Sequence, residues 1–233
     1  MGPEPFRILY RDRWLCAIDK PCGLLVHKGA RGADREFAVQ MLRDQLGHKV
    51  WPLHRLDRAT SGVLLFALDA DTAAAVGRQI MAREVRKRYL AVARGYTRPA
   101  GRIEYPLSTG DHRGDQPACT DYVRRSTLEL PLPIGRYATA RYSLLSVYPK
   151  TGRTHQIRRH FKHIFHPLIG DTTYGEGRHN RLFREYFGCR RLLLHGVELE
   201  LVHPWLGEIL RLQAPLTGSF RSIEEQFTGR GLQ

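Results

Sequence analysis

The sequence predicts an α+β fold with a mixed, mostly antiparallel central sheet flanked by helices and loops. Segments with strand character outnumber those with helical spacing, and short turns join several of them. A hydrophobic fraction of 42% over 233 residues is enough for a packed core.

Phe6-Arg7-Ile8-Leu9-Tyr10 and Trp14-Leu15-Cys16-Ala17-Ile18 read as two short strands around an Asp12-Arg13 turn. Lys20-Pro21-Cys22-Gly23 then turns the chain into Leu24-Leu25-Val26-His27. Glu36 to Leu46 has helical spacing through Phe37, Met41 and Leu42, and Ala70 to Arg83 is an Ala-rich helix with Asp69 as its N-cap. Val85 to Ala93, Ala138 to Tyr148 and Leu192 to Val202 are longer strands, and Phe220 to Phe227 is a closing helix. Ser108 to Gln116 is polar, Gly-bearing and without periodicity, so it is expected to be a surface loop. Composition is alike on its two sides and no repeat is visible, which leaves residues 1–233 as one expected domain.

Lys and Arg number 37 against 23 Asp and Glu, a surplus of 14 positive charges that points to a polyanionic partner, nucleic acid ahead of membrane. Only 6 of the 37 are lysine. A GC-rich genome accounts for that choice but not for the surplus. Cys16, Cys22, Cys119 and Cys189 form no C-x-x-C pair and no zinc spacing, and read as reduced thiols. With no secretory signal pattern at the N-terminus and no apolar run long enough to span a bilayer, a cytoplasmic protein without membrane contact is expected.

His54-Arg55-Leu56-Asp57-Arg58-Ala59-Thr60-Ser61-Gly62 sets one carboxylate between two guanidiniums just before the apolar run Val63-Leu64-Leu65-Phe66. Asp57 is a candidate nucleophile; the alternative is that it only shapes the turn with Ser61 and Gly62. Downstream, Thr151-Gly152-Arg153-Thr154-His155-Gln156-Ile157-Arg158-Arg159-His160 follows a strand and starts a helix, with Thr154 as candidate N-cap. At 100° per residue His155, Arg158, Arg159 and Lys162 fall on one face, and Ile157, Phe161 and Ile164 on the other. For Arg159 and Lys162 a solvated face and phosphate contact are equal alternatives. His155, His160, His163 and His166 lack the spacing and the carboxylate of a metal site, so no metal is expected. The glycine-bearing strings match neither a P-loop nor a dinucleotide fingerprint.

HRLDRATSG resembles, in every fixed position, the motif HRLD-x-x-T-S-G of the RluA family of RNA pseudouridine synthases. Thr151 to Arg158, TGRTHQIR, is similar to a second motif of that family, Lys87-Arg88-Tyr89-Leu90-Ala91 to a third, and Leu192-Leu193-Leu194-His195-Gly196 to the last, with Gly196 where the family usually has Ala. The resemblance takes in Ile8 to about Leu212 and implies a pseudouridine synthase catalytic domain, here without the S4 RNA-binding domain that many relatives carry. It implies isomerisation of uridine in RNA with no cofactor, and a monomer is expected. Asp57 would attack the sugar or base, or stabilise the sugar as the base leaves. Tyr89 would pack on the uracil and could move a proton. Arg158 would keep Asp57 ionised and aimed, since burial can raise a carboxylate by about 3 to 5 pKa units while an adjacent Arg lowers it by about 1 to 3. Leu194 would line the pocket and Arg55 would fill the gap left by the extruded base, with His54, Arg153 and Arg159 as further RNA contacts. Gln116-Pro117-Ala118, Gly135 to Tyr142 and His166 to Asp171 resemble the branch that modifies uridine 65 of tRNA. The alternatives are the same reaction on ribosomal RNA, or a non-catalytic RNA-binding module.

Overall fold

The structure, a computed structural model, describes residues 5–27, 36–108 and 114–229. The elements in chain order begin β1 (Ile8–Arg11), β2 (Leu15–Lys20), α1 (Ala38–Leu46), β3 (Trp51–Pro52), β4 (Ser61–Ala67), α2 (Ala70–Met81) and β5 (Arg86–Arg94). They continue with β6 (Ala100–Glu104), β7 (Leu107–Ser108), β8 (Asp115–Gln116), β9 (Cys119–Leu130), β10 (Ala140–Pro149), α3 (Gln156–His163) and α4 (Gly177–Phe187). The last three are β11 (Leu194–Val202), β12 (Ile209–Gln213) and α5 (Gly218–Phe227). The expected α+β class is the observed one. The chain divides into two compact units, residues 1–87 with 196–215 and residues 88–195 with 216–233.

In the first unit the strand order is β1-β2-β4-β11-β12, with β3 also pairing with β4. β4 is buried at every residue, as its apolar run requires. Alternate residues of neighbouring strands, Leu15 and Ala17, Val63 and Leu65, Leu199 and Leu201, form one core face with Val76 of α2. Each large aliphatic side chain removed from water there contributes roughly 1.5–3 kcal/mol. β4 is thereby a fixed rail for whatever precedes it. Asp69 caps α2 as expected, its Oδ1 accepting from the Thr72 amide at 2.7 Å.

In the second unit the order is β5-β10-β9-β6, antiparallel throughout. Residues 168–169 and 192–193 extend it at Val92: the Val92 amide donates to Leu193 O (3.1 Å) and the Ile169 amide to Val92 O (2.9 Å). Tyr142 packs edge-on to Phe183 of α4 at 4.7 Å and Tyr122 to Phe161 of α3 at 5.4 Å, so each helix is held by an aromatic pair.

Several expectations shift. Within Leu24 to His27, Leu25 makes an isolated bridge to Phe37. Thr154 is not the cap of α3, which starts one residue later behind His155. β3, β6, β9, β12 and α4 were not foreseen. Residues 109–113 of the expected loop lie outside the described residues, and its two ends pair as β7 and β8.

Candidate active site

Asp57 stands on a turn that the first unit clamps from two sides. Its carbonyl accepts from the Thr60 amide at 3.0 Å. The segment after β2 supplies one clamp: the Gly23 amide donates to Arg58 O (2.8 Å), Arg58 Nε to Gly23 O (3.0 Å), and Cys22 Sγ to Ala59 O (3.1 Å). Buried Lys20 completes it, donating from Nζ to Leu24 O (2.7 Å), Pro21 O (2.8 Å) and Arg58 O (3.5 Å). A buried ammonium is tolerated because carbonyl oxygens replace its water. The second clamp is His54, whose Nε2 accepts from the Leu65 amide of β4 at 3.1 Å. Burial, reinforced by the Lys87 charge, holds the His54 imidazole well below its ordinary pKa. Accepting through Nε2 then puts the single ring proton on Nδ1.

The clamps leave the Asp57 side chain half-buried, with Arg55 and Arg58 exposed on either side and Leu56 in the core. Histidine at position 54 thus serves the backbone behind the turn, while Arg55 next to it faces solvent.

In the second unit the sequence TGRTHQIR folds around Gln156. Its Oε1 accepts from Thr151 Oγ1 (2.6 Å) and the Arg153 amide (3.0 Å), and its Nε2 donates to Cys119 O and Thr120 Oγ1, both at 2.9 Å. Those four bonds fix the approach to α3, and His155 at its N-terminus is in the left-handed region at φ 53°. His155 Nδ1 lies 3.1 Å from Tyr174 Oη.

Arg158 shares its helical face with Arg159 and Lys162 in sequence but not their environment. It is buried, and its guanidinium grips Asp171 in a fork, Nε to Oδ2 at 2.7 Å and Nη2 to Oδ1 at 2.9 Å, with the Tyr174 ring 5.2 Å from Cζ. Burial works to raise the Asp171 carboxyl, but the Arg158 fork and the Tyr174 and Thr173 amides outweigh it and hold the group below the usual carboxylate range. Helical periodicity groups Arg158 with Arg159 and Lys162, but it carries no sign of an acceptor 13 residues later. Arg159 is half-buried and Lys162 exposed, and Arg159 Nη1 donates to Ser108 O at 2.8 Å. Arg153 Nε donates to Pro117 O at 3.2 Å, so both arginines hold the chain on either side of residues 109–113.

Tyr89 is almost fully buried on β5, opposite Val147 of β10, and Leu194 is buried at the head of β11. The α3 histidines have separate occupations. His160 spans Thr120 Oγ1 and Tyr105 O at 3.0 Å each, and His163 stacks on Tyr105 at 3.7 Å. Among the described residues no three His, Cys, Asp or Glu side chains are grouped to hold a metal ion. The structure thus gathers His54, Arg55 and Asp57 on one turn of the first unit, and Arg153, Arg158 and Arg159 around α3 of the second. The residues that sequence reasoning missed are Asp171, Gln156 and Lys20.

Residues 15–163, which hold Asp57, Tyr89 and Arg158, match the family model described as RNA pseudouridylate synthase. The chain belongs to this family. It is 44% identical over 236 residues to tRNA pseudouridine synthase C of Pectobacterium carotovorum subsp. carotovorum, covering 97% of this chain and 63% of that protein. The protein of the same name from Salmonella typhi is 43% identical, with 97% of this chain and 91% of the relative covered. The solved structure of human RNA Pseudouridylate Synthase Domain Containing 1 superposes with a TM-score of 0.71 at 28% identity, over 93% of this chain and 86% of that one.

Proposed function

We propose that this protein isomerises uridine to pseudouridine in tRNA, at position 65, without a cofactor. The observation that carries the reading is the Asp57 turn: a lone carboxylate in a family signature, seated against a buried strand and locked from behind by Lys20 and His54. The likeness of nearly the whole chain to proteins named tRNA pseudouridine synthase C supports tRNA over ribosomal RNA.

In the proposed reaction the N1–C1′ bond of the target uridine breaks, the uracil turns within the site, and C5 bonds to C1′; the C5 proton is lost and N1 takes one up. Atoms are conserved, so no redox or group-transfer partner is needed. Asp57 acts at the sugar or the base as the bond opens. Tyr89 packs on the ring, and Arg158 keeps the Asp57 carboxylate ionised and aimed. Extruding the uridine from an RNA stack costs a few kcal/mol. Arg55, exposed beside Asp57, offers a planar guanidinium to stand in for the departed base.

The test is mass-spectrometric pseudouridine mapping of tRNA and ribosomal RNA from wild-type and deletion strains, with the purified protein added back to an unmodified tRNA transcript. A lost signal at uridine 65, restored by the protein, is the expected result. A signal lost only from ribosomal RNA moves the substrate, and binding without isomerisation ends the enzyme reading.

A further inference from the structure

Away from Tyr89, the second unit carries a groove of about 950 Å³ whose walls include Arg94, Tyr96, Arg136, Tyr137, Arg141 and Arg178. That volume lies at the upper end of the roughly 300–1,000 Å³ usual for ligand sites. Five residues of β5, about 16 Å at ~3.3 Å each, separate Arg94 from Tyr89. The register repeats the spacing on β10, where Tyr142 faces Arg94 and Val147 faces Tyr89.

Two carboxylates also line the groove, and both are engaged within it. Glu129 accepts from Thr139 Oγ1 (2.6 Å), Tyr96 Oη (2.7 Å) and Arg141 Nε (3.1 Å). Glu176 pairs with His179 (3.1 Å), Arg94 (3.2 Å) and Arg178 (3.6 Å). Four guanidiniums against two carboxylates leave a positive groove. Its rim is built rather than loose: the Ile134 amide donates to Tyr137 O (2.9 Å) and the Tyr137 amide to Ile134 O (3.1 Å). Gly135 between them is at φ 59°, where an added Cβ would fall 2.7 Å from Arg178 Nη1, so Arg178 forms the floor under the rim. Tyr137 is 59% exposed and Tyr96 40%. Each is paired with an arginine, Arg136 at 5.2 Å and Arg141 at 5.5 Å. Exposed aromatic rings interleaved with guanidiniums are what a single-stranded or looped RNA segment requires, phosphates on the cations and base faces on the rings.

We propose that this groove is a second RNA-contact site, holding phosphodiesters and an unstacked base of the substrate RNA several nucleotides from the uridine that is isomerised. It rests on the tRNA reading above. At a rise of ~3.4 Å per nucleotide, 16 Å is about five nucleotides. Binding there adds affinity without touching the reacting atoms.

Equilibrium binding of an unmodified tRNA transcript and steady-state pseudouridine formation are measured for wild type, the double variant Arg136→Ala/Tyr137→Ala, and Arg221→Ala, which removes an exposed arginine of α5 outside the groove. Circular dichroism melts confirm that each is folded. The double variant is expected to raise Kd and KM about 10-fold, to make the salt dependence of log K shallower by about one, and to keep kcat within twofold, while Arg221→Ala changes Kd less than twofold. Unchanged Kd and salt slope in the double variant overturn the proposal, as does an equal loss in Arg221→Ala or a fall confined to kcat. If wild type binds the tRNA but forms no pseudouridine, the proposed reaction fails and the Kd comparison still decides the groove.

Discussion

The backbone of Gly62 runs directly against that of Gly196: a Cβ added at Gly62 would fall 2.2 Å from the Gly196 carbonyl oxygen and 2.6 Å from its nitrogen. Gly62 is also at φ 120°, which L side chains rarely adopt. The contact lets β11 lie beside β4 immediately after the Asp57 turn, so the glycine of the signature is a packing requirement of the seat.

Gly62→Ala should therefore destabilise the protein by about 2–4 kcal/mol, combining strain with backbone displacement. Urea unfolding reads the loss directly. A change below about 1 kcal/mol would mean that β11 can withdraw freely, and the seat would then not depend on that contact.

Asp171 is the counter-ion that lets Arg158 sit in the core, and removing one partner of a buried pair costs about 3–5 kcal/mol. Asp171→Ala is expected to lose that much. The pH dependence has a definite sign. The folded Asp171 carboxyl sits below its unfolded value near 4, so its stabilisation is present above about pH 4 and is lost as pH falls further. Acid unfolding followed by tryptophan fluorescence should show a shallower decline below pH 4 in Asp171→Asn than in wild type, from a lower starting stability. Parallel declines would remove Asp171 from the acid response.

What could be read in the sequence was what local chemistry writes there. α2 declares itself through Asp69 and an alanine run, β4 through an unbroken apolar string, and Asp57 through a nine-residue signature. β9 hides because Arg125, Thr127 and Glu129 on its exposed positions, with Arg124 and Ser126 half-buried between them, leave its apolar residues too scattered to read as a strand. α4 opens Gly-Arg-His-Asn and buries only His179 and Phe183, too thin a stripe to read as amphipathic. The cage around Arg158 was illegible for another reason. Periodicity places side chains around a helix axis but says nothing of what the chain brings back beside it, and Asp171 arrives only after residues 164–170 have turned.

His54 gives a second pH signature. Its imidazole is held neutral by burial and by Lys87, so the unfolded chain takes up a proton that the folded one refuses once pH drops below about 6.5. Stability from this site is present above that value and is lost as pH falls toward the depressed folded pKa. His54→Gln should flatten the wild-type decline between pH 6.5 and 5. It should also cost about 1–3 kcal/mol if the Leu65 amide loses its acceptor. Chemical denaturation at several pH values checks both, and an unaltered pH profile would assign the decline to other buried histidines such as His160.

Asp57→Asn separates chemistry from grip. The amide keeps the size of the carboxylate, and the turn retains its main-chain bonds, the Thr60 amide to Asp57 O and the Gly23 amide to Arg58 O. In the proposed mechanism Asp57 acts as an anion, which an amide cannot replace. Turnover on tRNA is expected to disappear, by a factor of 10⁴ or so if chemistry is limiting (about 5.5 kcal/mol at 1.36 per decade), while tRNA Kd stays within about threefold. Lys162→Ala should do the reverse, since Lys162 is exposed on α3: a weaker, less salt-sensitive Kd with kcat intact. Single-turnover pseudouridine formation and filter binding on the same tRNA distinguish the two. Retained turnover in Asp57→Asn would take the carboxylate out of the mechanism, and an equal loss of kcat in both variants would mean that α3 positions the reacting groups rather than the RNA backbone.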